Sequence, residues 1–166
     1  MRKTSLALAV AASTLGLSQV AFADFIGDSK ASLTMRNFYF DQNTKNTANN
    51  NGEAQEWGQG FIFNYTSGFT EGTVGFGLDA VGMLGLKLDS SPDRSGSGLL
   101  SRNSEPEPGK PSYARRAHDE YSKFGVTGKA RFAQSELRVG YMVPDLPTLQ
   151  PNLSRLFPQS FSGTAL

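Results

Sequence analysis

The sequence predicts an all-β protein, a transmembrane antiparallel β-barrel, on three observations. An export signal opens the chain. Apolar and polar residues then alternate with period two through several long segments. The connections between those segments are long and short in turn.

Met1-Arg2-Lys3 is a short basic region, and Leu6 to Val20 then runs apolar, small and uncharged. Ala21-Phe22-Ala23 has the small-x-small form that signal peptidase cleaves, so residues 1–23 are expected to be a signal peptide and Asp24 the mature start. The apolar run falls short of the about 20 residues that a membrane helix needs. Residues 24–166 number 143, enough for one domain, and carry 14 basic against 15 acidic side chains. That balance argues against a nucleic-acid partner held through phosphate contacts. The absence of cysteine removes disulfides, thiol nucleophiles, thiolate ligands and a lipoprotein anchor.

Five strands follow from alternation, because a strand turns successive side chains to opposite faces. In the first, Ala31, Leu33 and Met35 oppose Ser32, Thr34 and Arg36, ahead of Phe38-Tyr39-Phe40. In the second, Trp57, Phe61, Phe63 and Tyr65 oppose Glu56, Gly58, Gly60 and Asn64, with Gln59 and Ile62 out of pattern. The third, residues 73–88, sets Val74, Phe76, Leu78, Ala80, Leu84, Leu86 and Leu88 against Thr73, Gly75, Gly77, Asp79, Gly85 and Lys87. Val81 and Met83 break it. The fourth has Phe124, Val126, Ala130 and Phe132 against Lys123, Thr127, Lys129 and Arg131. The fifth has Leu137, Val139, Tyr141 and Val143 against Glu136, Arg138 and Gly140.

Between them, Asp41–Gln55 is long and Asn-rich, while Ser67-Gly68-Phe69-Thr70 is short. Asp89–Glu120 is long, Ala133-Gln134-Ser135 is a tight turn, and Pro144–Leu166 is long and punctuated by proline. Short turns at one end and long loops at the other suit an outer-membrane barrel. Phe38, Tyr39, Phe40 and Trp57 lie at the long-loop end, and Tyr65, Phe69 and Phe132 beside the short turns. They are expected to form two interfacial aromatic girdles.

Several runs resemble the opening of the OprD family of substrate-specific porins. They are Arg36 to Phe40, Glu56 to Phe61, Ser67 to Ala80, Leu84 to Asp89, Gly96 to Leu100, and Arg155 to Gly163. The resemblance implies a barrel of about eighteen strands in the outer membrane of a Gram-negative bacterium. It implies passive uptake of small carboxylate-bearing solutes such as amino acids, aromatic acids and some antibiotics. It also implies a third loop folded inward as a constriction and a row of basic side chains on the wall. Outer-membrane lipid, the solutes and the barrel-assembly machinery are the implied partners, with no cofactor. Residues 24–166 would then be the N-terminal portion of the barrel, ending within the third long loop and incomplete as a ring.

With the apolar parity outward, Arg36, Lys87, Lys123, Lys129, Arg131 and Arg138 face inward, together with Glu56, Asp79 and Glu136. Arg36, Lys129, Arg131 and Arg138 are the candidate pore-lining basic residues, since placed charges set selectivity and arginine can grip a carboxylate with two N–H groups. The same side chains could equally pair with Glu136 and stiffen the wall. Ser160, Phe161 and Ser162 are the candidate constriction loop by the family resemblance alone.

No catalytic or metal site is expected. His118 is the single histidine and sits among loop charges, with no second ligand or nucleophile spaced to use it. Two other readings suit the same residues: a small complete barrel serving as a membrane anchor, and a soluble periplasmic β-sandwich that binds a ligand. The prolines after residue 143 oppose the first, and partitioning without detergent separates the second.

Overall fold

The computed structural model describes residues 23–44, 52–146 and 149–166. The expected signal peptide lies outside the described residues except for Ala23. That residue opens the short helix α1 (Ala23–Gly27).

Six strands follow: β1 (Lys30–Asn43), β2 (Glu53–Thr66), β3 (Val74–Ser90), β4 (Glu120–Phe132), β5 (Ser135–Met142) and β6 (Phe161–Ala165). They form one sheet in chain order, each pair antiparallel, with β1 and β6 at its two edges. Among the described residues there is one sheet and not two facing ones, so the sandwich arrangement is not the one adopted.

The five expected strands are all present, and most run further than the alternation marked. β3 has 17 residues, against about 5–6 for an ordinary strand. The strand count is corrected from five to six. Phe161-Ser162-Gly163-Thr164-Ala165 pairs with Met142 to Arg138 rather than lying in a loop. Phe161 and Ala165 do alternate with Ser162 and Thr164, but over five residues that pattern is too short to mark a strand without its pairing to β5.

One face of the sheet is apolar and open. Leu33, Met35, Phe63, Phe76, Val126 and Val139 are exposed on it, and Phe124 is the most exposed of the large strand side chains at 75%. Such a face is what a strand wall turns to lipid. No helix among the described residues is long and apolar enough to cross a membrane.

The expected girdles are corrected in part. Tyr39 and Trp57 pair across β1 and β2 and are exposed, as is Phe132 near the opposite end. Phe38 and Phe40 instead lie on the inner face against a buried cluster. Phe69 also turns away from the outer face, toward Lys129 and Arg131. Tyr141 is a further correction. Gly140 has a φ of 140°, which side-chain-bearing residues rarely adopt. Beyond that irregularity the Tyr141 ring lies over Gly125 on the inner face.

Candidate functional site

The inner face is covered by the two long connections that follow β3 and β5. Its buried cluster joins Ile62, Val81 and Met83 from the sheet with Leu99, Leu100 and Ala117 from residues 91–119, and with Leu156 and Phe157 from residues 143–160. The sheet members are the three apolar residues that broke the alternation. Apolar side chains on an otherwise polar face mark where something dry is laid on it.

Each connection is held by specific bonds. Glu56 on β2 is fully buried and accepts from the Ser97 hydroxyl and, at 3.3 Å, from the Gly96 backbone N–H. Those two bonds satisfy a carboxylate that would otherwise be costly to bury. Arg155 donates from Nη1 to the Ser97 carbonyl at 2.6 Å, tying the later connection to the earlier one. The Tyr121 and Phe157 rings meet with centroids 4.8 Å apart. Leu156, with no exposed surface, rests over Gly60, where an added Cβ would stand 3.1 Å from its Cγ and 3.3 Å from its backbone oxygen. Glycine at that position is what lets the connection come so close. Between the two connections a cleft of about 600 Å³ remains, walled by Leu99, Tyr121, Lys123, Asn152, Arg155 and Gln159.

The candidate basic residues all lie on this inner face, at two levels. Arg36 donates from Nη2 to the Leu153 carbonyl at 2.6 Å, so it meets the later connection at mid-wall. Lys129, Arg131 and Arg138 gather at the short-turn end, around a cleft of about 520 Å³ that Lys30, Glu71 and Glu136 also line.

Lys129 is enclosed, its side chain 2% exposed. Its Nζ donates to the Ser67 carbonyl at 2.7 Å and lies 2.7 Å from Asp79 Oδ1. The contact with Asp79 is an ion pair outside hydrogen-bond direction, since that oxygen has no directed donor. Arg138 is half-exposed, with Nε 2.5 Å from Glu136 Oε1 and Nη1 3.9 Å from Asp79 Oδ2. The Arg131 guanidinium lies over the Phe69 ring at 4.4 Å. All three line the cleft, Lys129 and Arg138 paired with the wall carboxylates Asp79 and Glu136 and Arg131 stacked on Phe69.

Ser160 hydrogen-bonds the Tyr141 hydroxyl. Phe161 and Ser162 open strand β6, opposite Met142 and Tyr141. The part of the segment that covers the wall is residues 153–158, just before them. Sequence reasoning placed Glu56 on the inner face and Phe69 in a girdle, but gave neither of them, nor Leu156, a part in the site. For Glu56 and Leu156 the usable signal was the break at Ile62, Val81 and Met83. For Phe69 it was the run of Lys129 and Arg131 opposite the short turn.

A strand wall with an apolar outer face and a charged inner face under folded-in loops defines a piece of outer-membrane porin. The chain belongs to the OprD family of outer membrane porins, whose family model matches residues 23–166. It is 41% identical to Porin D of Pseudomonas aeruginosa over 177 aligned residues, covering all of this chain and 37% of that protein. The crystal structure of OccK9 (OpdG) from Pseudomonas aeruginosa superposes with a TM-score of 0.73 at 43% identity, over 84% of this chain and 34% of that one. OpdK from Pseudomonas aeruginosa, crystallised with vanillate, gives 0.68 at 40% identity, over 84% of this chain and 32% of that one. The chain thus spans about a third of the length of the relatives it matches.

Proposed function

We propose that this chain forms part of the wall and part of the constriction of an outer-membrane pore that passes small carboxylate-bearing solutes by passive diffusion. The observation that carries this reading is the pairing of two features on one sheet. Its outer face is apolar and open, and two long connections are locked onto its basic inner face by Glu56, Arg155 and Leu156.

A third of the relatives' length is what six of about eighteen strands would take, so strands outside these residues would complete the lumen. Residues 1–23 would direct export and be removed by signal peptidase on translocation, with the barrel-assembly machinery as partner and outer-membrane lipid against the Phe76 and Phe124 face. Arg36, Arg131 and Arg138 would guide the carboxylate along the wall, with Lys129 bracing it. The segment leading into Ser160, Phe161 and Ser162 would narrow the passage. Vanillate, an aromatic carboxylate present with OpdK, suits the same substrate class.

The test is uptake by a porin-deficient Gram-negative strain expressing the gene. Carboxylates such as benzoate should enter faster than uncharged analogues of equal size, and Arg131→Gln with Arg138→Gln should remove the difference. Equal entry of charged and uncharged solutes in the parent would overturn the reading.

A further inference from the structure

We propose that Phe69 is a positioning residue that seats the Arg131 guanidinium as the carboxylate-gripping group at the short-turn end of the inner face. This rests on the porin reading above.

The turn between β2 and β3 does not project from the sheet. Ser67 N–H donates to Leu78 O at 3.1 Å, Gly68 N–H to Phe25 O at 2.9 Å, and Thr70 N–H to Phe76 O at 2.8 Å. The Thr70 hydroxyl accepts from the Phe76 N–H at 2.9 Å, and the Ser67 carbonyl takes the Lys129 ammonium. These bonds fix Phe69 with its ring toward the inner wall, Lys129 Nζ lying 4.8 Å and Arg131 Cζ 4.4 Å from its centroid.

The two cations differ in what else they hold. Lys129 is spent on Ser67 and Asp79. Arg131 has no hydrogen-bond or ion-pair partner among the described residues, and it is exposed. Glu136 stands opposite it in the ladder, yet gives its carboxylate to Arg138 instead. The aromatic face therefore supplies Arg131's one fixed contact. A guanidinium held through its face by a ring keeps its planar fork of N–H donors for a ligand, and that fork matches a carboxylate. The cleft of about 520 Å³ in front of it has room for a small acid, with Lys30 and Arg138 adding positive charge and Asp28, Glu71 and Glu136 tempering it.

Phenylglyoxal modification of arginines tests this in outer membranes of cells expressing the gene, read peptide by peptide with succinate as the probe. In the parent, succinate should slow modification of Arg131 severalfold, and glycerol should not. Phe69→Leu keeps the bulk but removes the ring face, and should abolish most of that protection. Phe69→Trp should retain it. Modification of Arg155, which holds the Ser97 carbonyl away from this cleft, reports in the same digests whether the inner wall is intact. Equal protection in the leucine variant, or none in the parent, overturns the proposal. Protection of Arg131 without solute uptake by the cells would support this inference and count against the porin reading alone.

Discussion

Arg155 Nη1 donates to the carbonyl of Ser97 at 2.6 Å, and so joins two connections that lie 58 residues apart in sequence. The same guanidinium stands 5.8 Å from the Phe40 ring on β1, so one side chain spans both connections and the wall. Hydrogen bonds from charged groups contribute about 1.5–3 kcal/mol each. Arg155→Ala should therefore loosen residues 149–160 while leaving the sheet in place. Hydrogen exchange should quicken in that segment and stay unchanged in β2 and β3. Equal acceleration in the strands would show that Arg155 supports the wall itself.

Among the described residues Leu156 is the largest fully buried apolar side chain, seated over Gly60. Leu156→Ala should cost about 2–5 kcal/mol of the free energy that keeps the connection docked. Gly60→Leu should displace it from the other side, by filling the space it occupies. Both variants should pass larger solutes than the parent in a liposome-swelling assay. An unchanged size limit in both would remove Leu156 from the constriction.

The tight turn between β4 and β5 puts Ala133 at a φ of 52°. Left-handed backbone costs an alanine roughly 1–2 kcal/mol, whereas asparagine tolerates it and is favoured in two-residue hairpins. Ala133→Asn should raise stability by about 1 kcal/mol, seen as a higher urea midpoint with the slope unchanged. A lower midpoint would mean that the alanine methyl makes a contact that outweighs its strain.

Lys87 pairs with Asp119 where the second long connection enters β4, and the Lys87 N–H donates to the Asp119 carbonyl at 2.8 Å. The Lys87 hydrogen bond, then its charge, hold the Asp119 carboxyl below the usual carboxylate range. A depressed folded value means that the pair stabilises above the unfolded pKa of about 3.9 and loses its effect as pH falls through the folded one. Protection at residues 117–120, taken relative to the intrinsic exchange rate at each pH, should therefore fall below about pH 4. Asp119→Asn should already exchange fast at pH 7 and show no such step. A step that survives in the asparagine variant would assign it to another group.

Much of the wall could be read from sequence because strand faces follow a local rule. Val74, Phe76 and Leu78 sit on the outer face as parity required, opposite Gly75, Gly77 and Asp79. The exceptions held the rest of the information. Ile62, Val81 and Met83 departed from the pattern because connections far away in sequence lie against them. Lys129 could not be distinguished from Arg131 by spacing alone. Its partners, Asp79 on the neighbouring strand and the Ser67 carbonyl, are fixed by register and by the path of a turn. The alternation of Phe161 and Ala165 with Ser162 and Thr164 in strand β6 is too short to stand out, and the reversal at Tyr141 depends on the backbone at Gly140. Both are tertiary outcomes that no window of side chains records.

β1 and β6 each have one hydrogen-bonded neighbour. In hydrocarbon an unpaired rim of N–H and C=O groups costs several kcal/mol per group, so a sheet with bare margins cannot rest there. In a bilayer, each margin would therefore have to be paired, and it would act as a template that fixes the register of the strand beside it. Lys30 to Asn43 offers fourteen residues of such a template. Growth against the first margin can lock its alignment over a long zipper.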